Sequence, residues 1–505
     1  MVKTREYDLI VVGAGMAGII LAARIAEKGI NSRTGDRLRI ALVEAGPHVK
    51  REVGGYSDPD WRRMVPQIVW EEFKNIPRWP WPYGLKMVGG CSPHWGANAF
   101  PPYDIDYKNW VDEMEIDWTQ NNMKTAVDDV MKTLHVHEDP EQAFSVGDHL
   151  FRDAGYALGY HPRGYMTARK NCIYCGFIGS GHGCKYDAKG SSLWYLPTFL
   201  EHGGELISDA EVQRVNIEKK GAGGVVTGIT YLKAGQTIQA RANKVAVCCG
   251  TWGSPVLLGK SGYGPKSELG SKTLVENKNV GQNLDGDTRY RIPVIFDQPI
   301  KEAGRGTTGG IYWYDDDPKF SDGTGRVRFA DKDMSKITYP HVAAMSEFAP
   351  GYGKAHMDFM REAITRLGAI DIGVSKPPTH VKGWVDLHTG AHNYPGDAYI
   401  DQRMNQVREI AIEIAKLMKC KISMRFPSTF RGRGGGHGNG TCRAGSRPQN
   451  SVINQDFEAH EVQGLFVADC SSYPRAVSSN CGIVGAIMGA FAARRMVRNY
   501  FSRGV

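Results

Sequence analysis

Three groups of residues have types and spacings with chemical content. The first is Gly13-Ala14-Gly15-Met16-Ala17-Gly18, followed at some distance by Glu44. In such a pattern the first glycine permits a tight turn, the second lets backbone approach a pyrophosphate, and the third lets a helix pack on the preceding strand. The later acid accepts hydrogen bonds from ribose hydroxyls. The second group is Cys172-Ile173-Tyr174-Cys175 with Gly183-Cys184. Three thiolates can hold an iron–sulfur centre, and His182 would complete four zinc ligands. Such centres use tighter or repeated C-x-x-C spacing, which the glycine-rich interval from Phe177 to Gly183 lacks. A reduced, packed loop is therefore the preferred reading of Cys172, Cys175 and Cys184, and no metal is assigned. The third group is a scatter of histidines: His437 in a glycine-rich stretch, and His388 and His392 near Asp386. A neutral imidazole, with an ordinary pKa of about 6.5, can take a proton at working pH. Taken alone, His437 reads as a surface or structural residue and the His388–His392 pair as an exposed loop. Asn480, beside Ser478 and Ser479, reads alone as a turn or helix cap.

The elements that must position these groups are partly legible. Tyr7 to Val12 is an apolar run rich in strand formers and predicts a strand leading into Gly13. Residues 16 to 29 predict a helix, its N-terminal N–H groups toward the phosphates and Leu21, Ala22, Ile25 and Ala26 forming an apolar face. Arg39 to Val43 predicts a second strand ending at Glu44. Glu44 falls later than the usual spacing of about 20 residues because the polar insertion from Asn31 to Asp36 lengthens the connection. Strand, helix, strand and acid in this order predict a complete βαβ unit. Farther on, Arg289 to Phe296 alternates as a strand does and Gln402 to Met418 has helical spacing, a mixture consistent with an α+β region. There is no internal repeat and no linker long enough for a detachable module.

A chain of 505 residues is long for one core and predicts two packed domains. With 41% apolar and 23% charged residues the composition is that of a soluble globular protein, and 61 glycines suit a chain wrapped around a large ligand. The net charge of +8 is spread along the chain, and basic stretches such as Arg431-Gly432-Arg433 are too short for a nucleic-acid arm. A mild positive field favours anionic substrates or an acidic electron-accepting partner. No apolar run reaches the roughly 18 to 20 residues of a membrane span, and the N-terminus leads directly into a strand. A cytoplasmic location is expected. Ten cysteines are too few for a disulfide scaffold and are expected to be reduced.

Together the motifs resemble those of the glucose-methanol-choline (GMC) oxidoreductases from end to end. Gly89-Gly90-Cys91-Ser92-Pro93-His94-Trp95-Gly96-Ala97-Asn98 resembles the family's flavin-contacting loop. Val247 to Gly262, with Gly250-Thr251-Trp252-Gly253-Ser254-Pro255, resembles its second signature, and Val280-Gly281-Gln282-Asn283-Leu284-Asp285 the segment that follows. His437-Gly438-Asn439-Gly440-Thr441-Cys442-Arg443 resembles the active-site histidine stretch. Leu465 to Ser471 resembles the last flavin-binding strand, which runs on through Ser478-Ser479-Asn480-Cys481-Gly482 to a helix rich in glycine and alanine. Family members carry a proline where this chain has Cys481, a departure that bears on the local backbone.

The resemblance implies an α/β and α+β fold. A Rossmann-like FAD-binding domain would be built from residues 1–289 and 431–505, with insertions within about 45–205, and a sheet-and-helix substrate domain from 290–430. It implies FAD, contacted by Gly13, Gly15, Gly18, Glu44, Ser92, His94, Asn98, Val212, Gly250, Asp469, Cys470 and Cys481. It makes His437 the base that takes the hydroxyl proton while hydride passes to flavin N5, with Asn480 donating its amide hydrogen bond to the same oxygen. Trp252 and Tyr473 read as packing residues near the flavin. Ser92-Pro93-His94-Trp95 resembles the Ser-Thr-His-Trp of fungal pyranose oxidases, where the histidine is bonded covalently to flavin. Gluconate- and fructose-type dehydrogenases carry a similar His-Trp pair, so a covalent link through His94 and a non-covalent loop both stay open. The cysteine segment resembles one in bacterial gluconate-type members. The activity implied is oxidation of a primary or secondary alcohol of a sugar, glycoside or polyol. The alternatives are an aliphatic, aromatic or sterol alcohol, or a non-redox flavin lyase. Oxygen, a quinone or a protein would accept the electrons, and the family admits a small helper subunit or a homo-oligomer.

Overall fold

The structure is a computed structural model. It describes residues 5–31, 33–48, 85–93, 95–175, 184, 186, 188–286, 288–300, 311–315, 327–332, 351–363, 365–374, 383–422, 437–477 and 481–502.

The first layer is a five-stranded parallel sheet in the order Leu465–Val467, Val245–Val247, Leu9–Val12, Ile40–Val43, Glu205–Ile207. Its central strands are continuous runs of Leu, Ile, Val and Ala with every residue buried, as a sheet covered on both faces requires. The helix Met16–Lys28 connects Leu9–Val12 to Ile40–Val43, and the C-terminal helix Cys481–Tyr500 lies against it. That second helix is buried along most of its length, from Ile483 and Val484 to Ala492 and Ala493. Its small residues serve close packing: a Cβ on Gly489 would lie 2.4 Å from the Ala17 carbonyl oxygen.

The expected single strand from Tyr7 to Val12 is two strands. Arg5–Tyr7 pairs in parallel with Gln236–Ala242, at the edge of a second sheet formed with Ala210–Lys220 and Gly223–Lys233, whereas Leu9–Val12 enters the parallel sheet. Asp8 makes the transition. Its carboxylate accepts from Asn31 Nδ2 at 2.9 Å and from the Arg39 backbone N–H at 2.7 Å, which the run of apolar neighbours around it conceals.

A separate core surrounds a six-stranded antiparallel sheet ordered Lys421–Ile422, Thr288–Ile295, Leu367–Val374, Val327–Lys332, Ile311–Asp315, Arg163–Gly164. The helix Ala398–Leu417 presents Ile400, Met404, Val407, Ala411 and Ile414 to this core at helical spacing. It begins four residues before the expected Gln402, because the Asp397 side chain caps it by accepting from the N–H groups of Tyr399 and Ile400. Phe151 and Ala154 of the helix Val146–Ala157 join the same core, so it draws on chain well before residue 290. A small antiparallel sheet of Gln282–Leu284, Gly383–Val385 and His392–Asn393 packs Leu284 and Val385 against Val256 of the helix Gly250–Lys260. Among the described residues no helix is long and apolar enough to cross a membrane.

Candidate functional site

The glycine turn has the geometry its residue types imply. Gly13 has φ +98°, and a Cβ there would sit 2.5 Å from the Cys248 carbonyl oxygen. A Cβ on Gly18 would lie 1.9 Å from the Gly13 carbonyl oxygen, so only glycine lets the helix seat on the strand. On Gly15, by contrast, a Cβ would meet no atom within 4 Å. The backbone at Gly15 therefore faces open space at a helix N-terminus, the place where a pyrophosphate is held. Glu44 is 7% exposed at the end of its strand. Its carboxylate accepts from the Ala14 N–H at 2.8 Å and the Gly46 N–H at 3.0 Å, and burial pushes its pKa up to about 7 against these hydrogen bonds.

A loop closes over this turn. The Gly89 N–H donates to the Ala14 carbonyl at 2.7 Å, and a Cβ on Gly90 would lie 2.9 Å from Gly15 Cα. Ser92 is fully buried, and its hydroxyl bonds the Gly89 carbonyl, Ser191 Oγ and Ser192 Oγ at 2.8–2.9 Å. It organises the loop. Asn98, 7% exposed, pairs with Thr167 through the backbone, while its Oδ1 is buried with no hydrogen-bond partner among the described residues. A buried acceptor in that condition is one a ligand donor would satisfy. The open face at Gly15, the acid at Glu44 and the unsatisfied acceptor at Asn98 together fit a dinucleotide such as FAD. His94 lies outside the described residues.

The helix Gly250–Lys260 is anchored by Asp469 at the end of the strand Leu465–Val467. One carboxylate oxygen accepts from the Gly250 N–H at 2.8 Å and Ser254 Oγ at 2.6 Å, the other from the Ser471 N–H at 2.7 Å. Burial raises this carboxyl above the usual range while those donors lower it. Gly250 itself, at φ +77°, would have a Cβ in open space. Val212 is half-buried opposite Tyr231, and Cys470 is half-buried with its thiol 3.6 Å from Tyr473 Oη. The backbone of Cys481 begins the C-terminal helix.

The same helix cradles the His437 stretch. Thr251 Oγ1 donates to the Gly438 carbonyl at 2.5 Å, and Thr441 Oγ1 donates to the Thr251 carbonyl at 2.6 Å. A Cβ on Gly438 would touch the Trp252 ring at 3.0 Å. Asn439 and Asp285 exchange backbone hydrogen bonds of 3.0 and 2.9 Å, and Asn439 Nδ2 donates to the His437 carbonyl at 3.1 Å. On the other side, the N–H groups of Gly440, Cys442 and Ala444 donate to the carbonyls of Cys470, Ser471 and Ser472. The stretch holding the half-buried His437 is thus tied to the end of the edge strand Leu465–Val467, which Val245–Val247 separates from Leu9–Val12 and the nucleotide turn. His392 is half-buried, its ring 6.1 Å from Trp252. His388 is exposed in a turn in which the Asp386 carboxylate accepts from the Thr389 hydroxyl and from the N–H groups of Thr389 and His388, which hold the carboxyl's pKa below the usual range. Asn480 lies outside the described residues.

Sequence reasoning assigned no role to Thr251, Thr441 or Asp285, whose polar atoms hold the histidine stretch. All three are buried polar residues within quoted motifs, a signal that marks such side chains for a partner.

The cysteines take local partners. Cys172 Sγ accepts from the Tyr174 N–H at 3.4 Å and lies 3.8 Å from Arg169 Nη1, and Cys184 Sγ accepts from the Ala188 N–H at 3.3 Å. Among the described residues no group of three or more His, Cys, Asp or Glu is arranged to hold a metal ion.

A nucleotide-type parallel sheet whose C-terminal strand ends meet a histidine stretch, joined to a second antiparallel-sheet region, defines a two-region α/β oxidoreductase fold. The sequence matches the GMC oxidoreductase description over residues 7–288 for its N-terminal part and 397–489 for its C-terminal part, and the chain belongs to that family. It is 27% identical over 338 residues to an oxygen-dependent choline dehydrogenase of Burkholderia ambifaria, covering 59% of this chain and 55% of that one. The match therefore spans only about half the length of that relative. It is 22% identical over 515 residues to the 6'''-hydroxyparomomycin C oxidase of Streptomyces lividus, covering 93% of this chain and 87% of that one. The fold is shared with pyridoxine 4-oxidase from Mesorbium loti, at TM-score 0.71, 17% identity and 98% and 99% coverage of the two chains. A formate oxidase of Aspergillus oryzae, studied for FAD modification, gives TM-score 0.72 at 14% identity and 99% coverage of both chains.

Proposed function

We propose that this chain binds FAD and oxidises an alcohol carbon, with a sugar, glycoside or polyol as substrate. The observation that carries the reading is the Thr251–Gly438–Thr441 clasp, which fixes the His437 stretch at the N-terminus of the helix Gly250–Lys260, whose lead-in at Cys248 packs on the nucleotide turn. Gly13, Gly15, Gly18 and the loop around Ser92 and Asn98 would hold the cofactor, and Glu44 would receive the ribose hydroxyls. When bound, the flavin supplies the hydride acceptor. His437 takes the proton of the substrate hydroxyl at its imidazole nitrogen, and Asn480 donates its amide to the same oxygen as negative charge develops there. Polar groups near this end, His392 beside Trp252 and Tyr394, whose hydroxyl donates to the Gly286 carbonyl at 3.3 Å, support a hydroxylated substrate over an apolar alcohol. A relative that matches along most of the chain is also named for a hydroxyl-bearing substrate.

His437→Ala is expected to keep bound FAD and to slow flavin reduction on the order of 10²- to 10⁴-fold at neutral pH, read by anaerobic bleaching of the flavin. A variant bleached at the wild-type rate removes His437 from the chemistry. The same assay, run across sugars, polyols and aliphatic, aromatic and sterol alcohols, identifies the substrate class. Bleaching by the apolar alcohols alone overturns the sugar assignment.

A further inference from the structure

Asp285 belongs to a short strand connection that the proposed chemistry does not use, yet it touches both segments that chemistry needs. Its backbone N–H and carbonyl pair with Asn439, two residues beyond His437, at 3.0 and 2.9 Å. Its side chain turns to a different segment: Oδ2 accepts from the backbone N–H of Ala476 at 3.0 Å, across 191 residues of chain. Ala476 and Val477 lead directly to Ser478-Ser479-Asn480 and the C-terminal helix. One residue, 2% exposed, therefore holds the histidine stretch with its backbone and the Ala476 backbone with its carboxylate.

Arg475, one residue earlier, is also tied to a different element. Arg475 Nη1 donates to Glu113 Oε1 at 2.9 Å, and the Arg475 carbonyl accepts from Trp110 Nε1 at 3.2 Å, both from the helix Asp104–Met114. Those contacts tie Arg475 to that helix. The carboxylate also has electrostatic company. Burial lowers the pKa of Arg443, within the histidine stretch, while Glu113 and Asp285 raise it. Glu113 is itself raised by burial and lowered by Arg475. Two acids and two arginines thus balance beneath the two segments, and a neutral residue at position 285 would leave an arginine under-compensated.

We propose that Asp285 is a positioning residue which holds the His437 stretch in register with the Ala476–Val477 segment. The proposal rests on the reading of His437 and Asn480 given above. A small error in that register misplaces the His437 base against the substrate hydroxyl, and a misplacement of about 1 Å costs on the order of 10²-fold in rate.

The test uses FAD-loaded protein and anaerobic flavin reduction, with the best substrate from the screen above at saturating and limiting concentrations. Asp285→Ala is expected to retain FAD and to lose ~10²-fold in the limiting rate of reduction, with KM changed by no more than about threefold. Asp285→Asn, which keeps an oxygen for the Ala476 N–H, is expected to recover to within about tenfold of wild type. A purely structural role would lower the melting temperature without slowing the folded, loaded fraction. Asp285→Ala reducing its flavin at the wild-type rate overturns the proposal. So does Asp285→Asn as slow as His437→Ala, and this second variant decides the matter if Asp285→Ala does not fold. His437→Ala is run alongside: wild-type behaviour there sinks the base assignment, whereas a slow His437→Ala with a fast Asp285→Ala sinks only the role of Asp285.

Discussion

Thr251 serves the His437 stretch at both its polar ends, its hydroxyl donating to the Gly438 carbonyl and its carbonyl accepting from the Thr441 hydroxyl. At 2% exposure there is no water to replace either bond. Thr251→Val keeps the shape, leaves a buried carbonyl without its donor at a cost of ~1–3 kcal/mol, and lets Gly438 move against Trp252. Flavin reduction is expected to slow ~10-fold at unchanged FAD content, and Thr251→Ser to restore it. Equal rates in the valine variant and wild type would show that the clasp does not position the base. Asp469 carries a related lesson. Its place at the end of the last strand suggests a cofactor contact, and its carboxylate is engaged by Gly250, Ser254 and Ser471. Residue type and motif could locate this acid; only geometry shows that it braces a helix N-terminus.

The elements that sequence reading located are those whose signal is local. Continuous apolar runs flanking a glycine turn make Leu9–Val12, Met16–Lys28 and Ile40–Val43 legible, and the alternation of Thr288–Ile295 needs no distant partner. The break at Asp8, the Asp397 cap and the recruitment of Val146–Ala157 to the second core were not legible, because each depends on what the chain meets elsewhere. The glycine and alanine content of Cys481–Tyr500 was visible as composition, but its reason is the contact with Met16–Lys28. There, a methyl on Gly489 has backbone, not a flexible side chain, in its way. Gly489→Ala is expected to force the two helices apart at a cost of ~1–3 kcal/mol and to lower the melting temperature. Because Ala17 lies within the glycine turn, FAD retention should weaken in parallel. An unchanged melting temperature would mean that the helices separate freely.

Over the whole molecule, the candidate site was legible as a list of segments but not as an assembly. His437 and Asp285 stood in motifs far apart in sequence, and Asp285 gains its importance from Ala476, which no spacing rule connects to it. Long-range assembly also determines how stability responds to pH through Glu44. Its carboxyl is closed in by the parallel sheet and the turn at Ala14, and burial raises its pKa from the ordinary 4.5 to about 7. The folded state therefore holds this proton more tightly than the unfolded chain. The stability it contributes is fully present below about pH 4.5 and is lost as pH rises through about 7, on the order of 3 kcal/mol for cofactor-free protein. Glu44→Gln, which mimics the protonated acid, should remove that component, so the difference in melting temperature between wild type and variant should change across this window and level off above it. In FAD-loaded protein the ribose hydroxyls would donate to the carboxylate and favour its charged form, which predicts a shallower difference. A wild-type minus Glu44→Gln difference that is flat from pH 4.5 to 7 in cofactor-free protein would remove Glu44 as the titrating group. A slope equally steep with and without FAD would instead place the ribose away from this carboxylate.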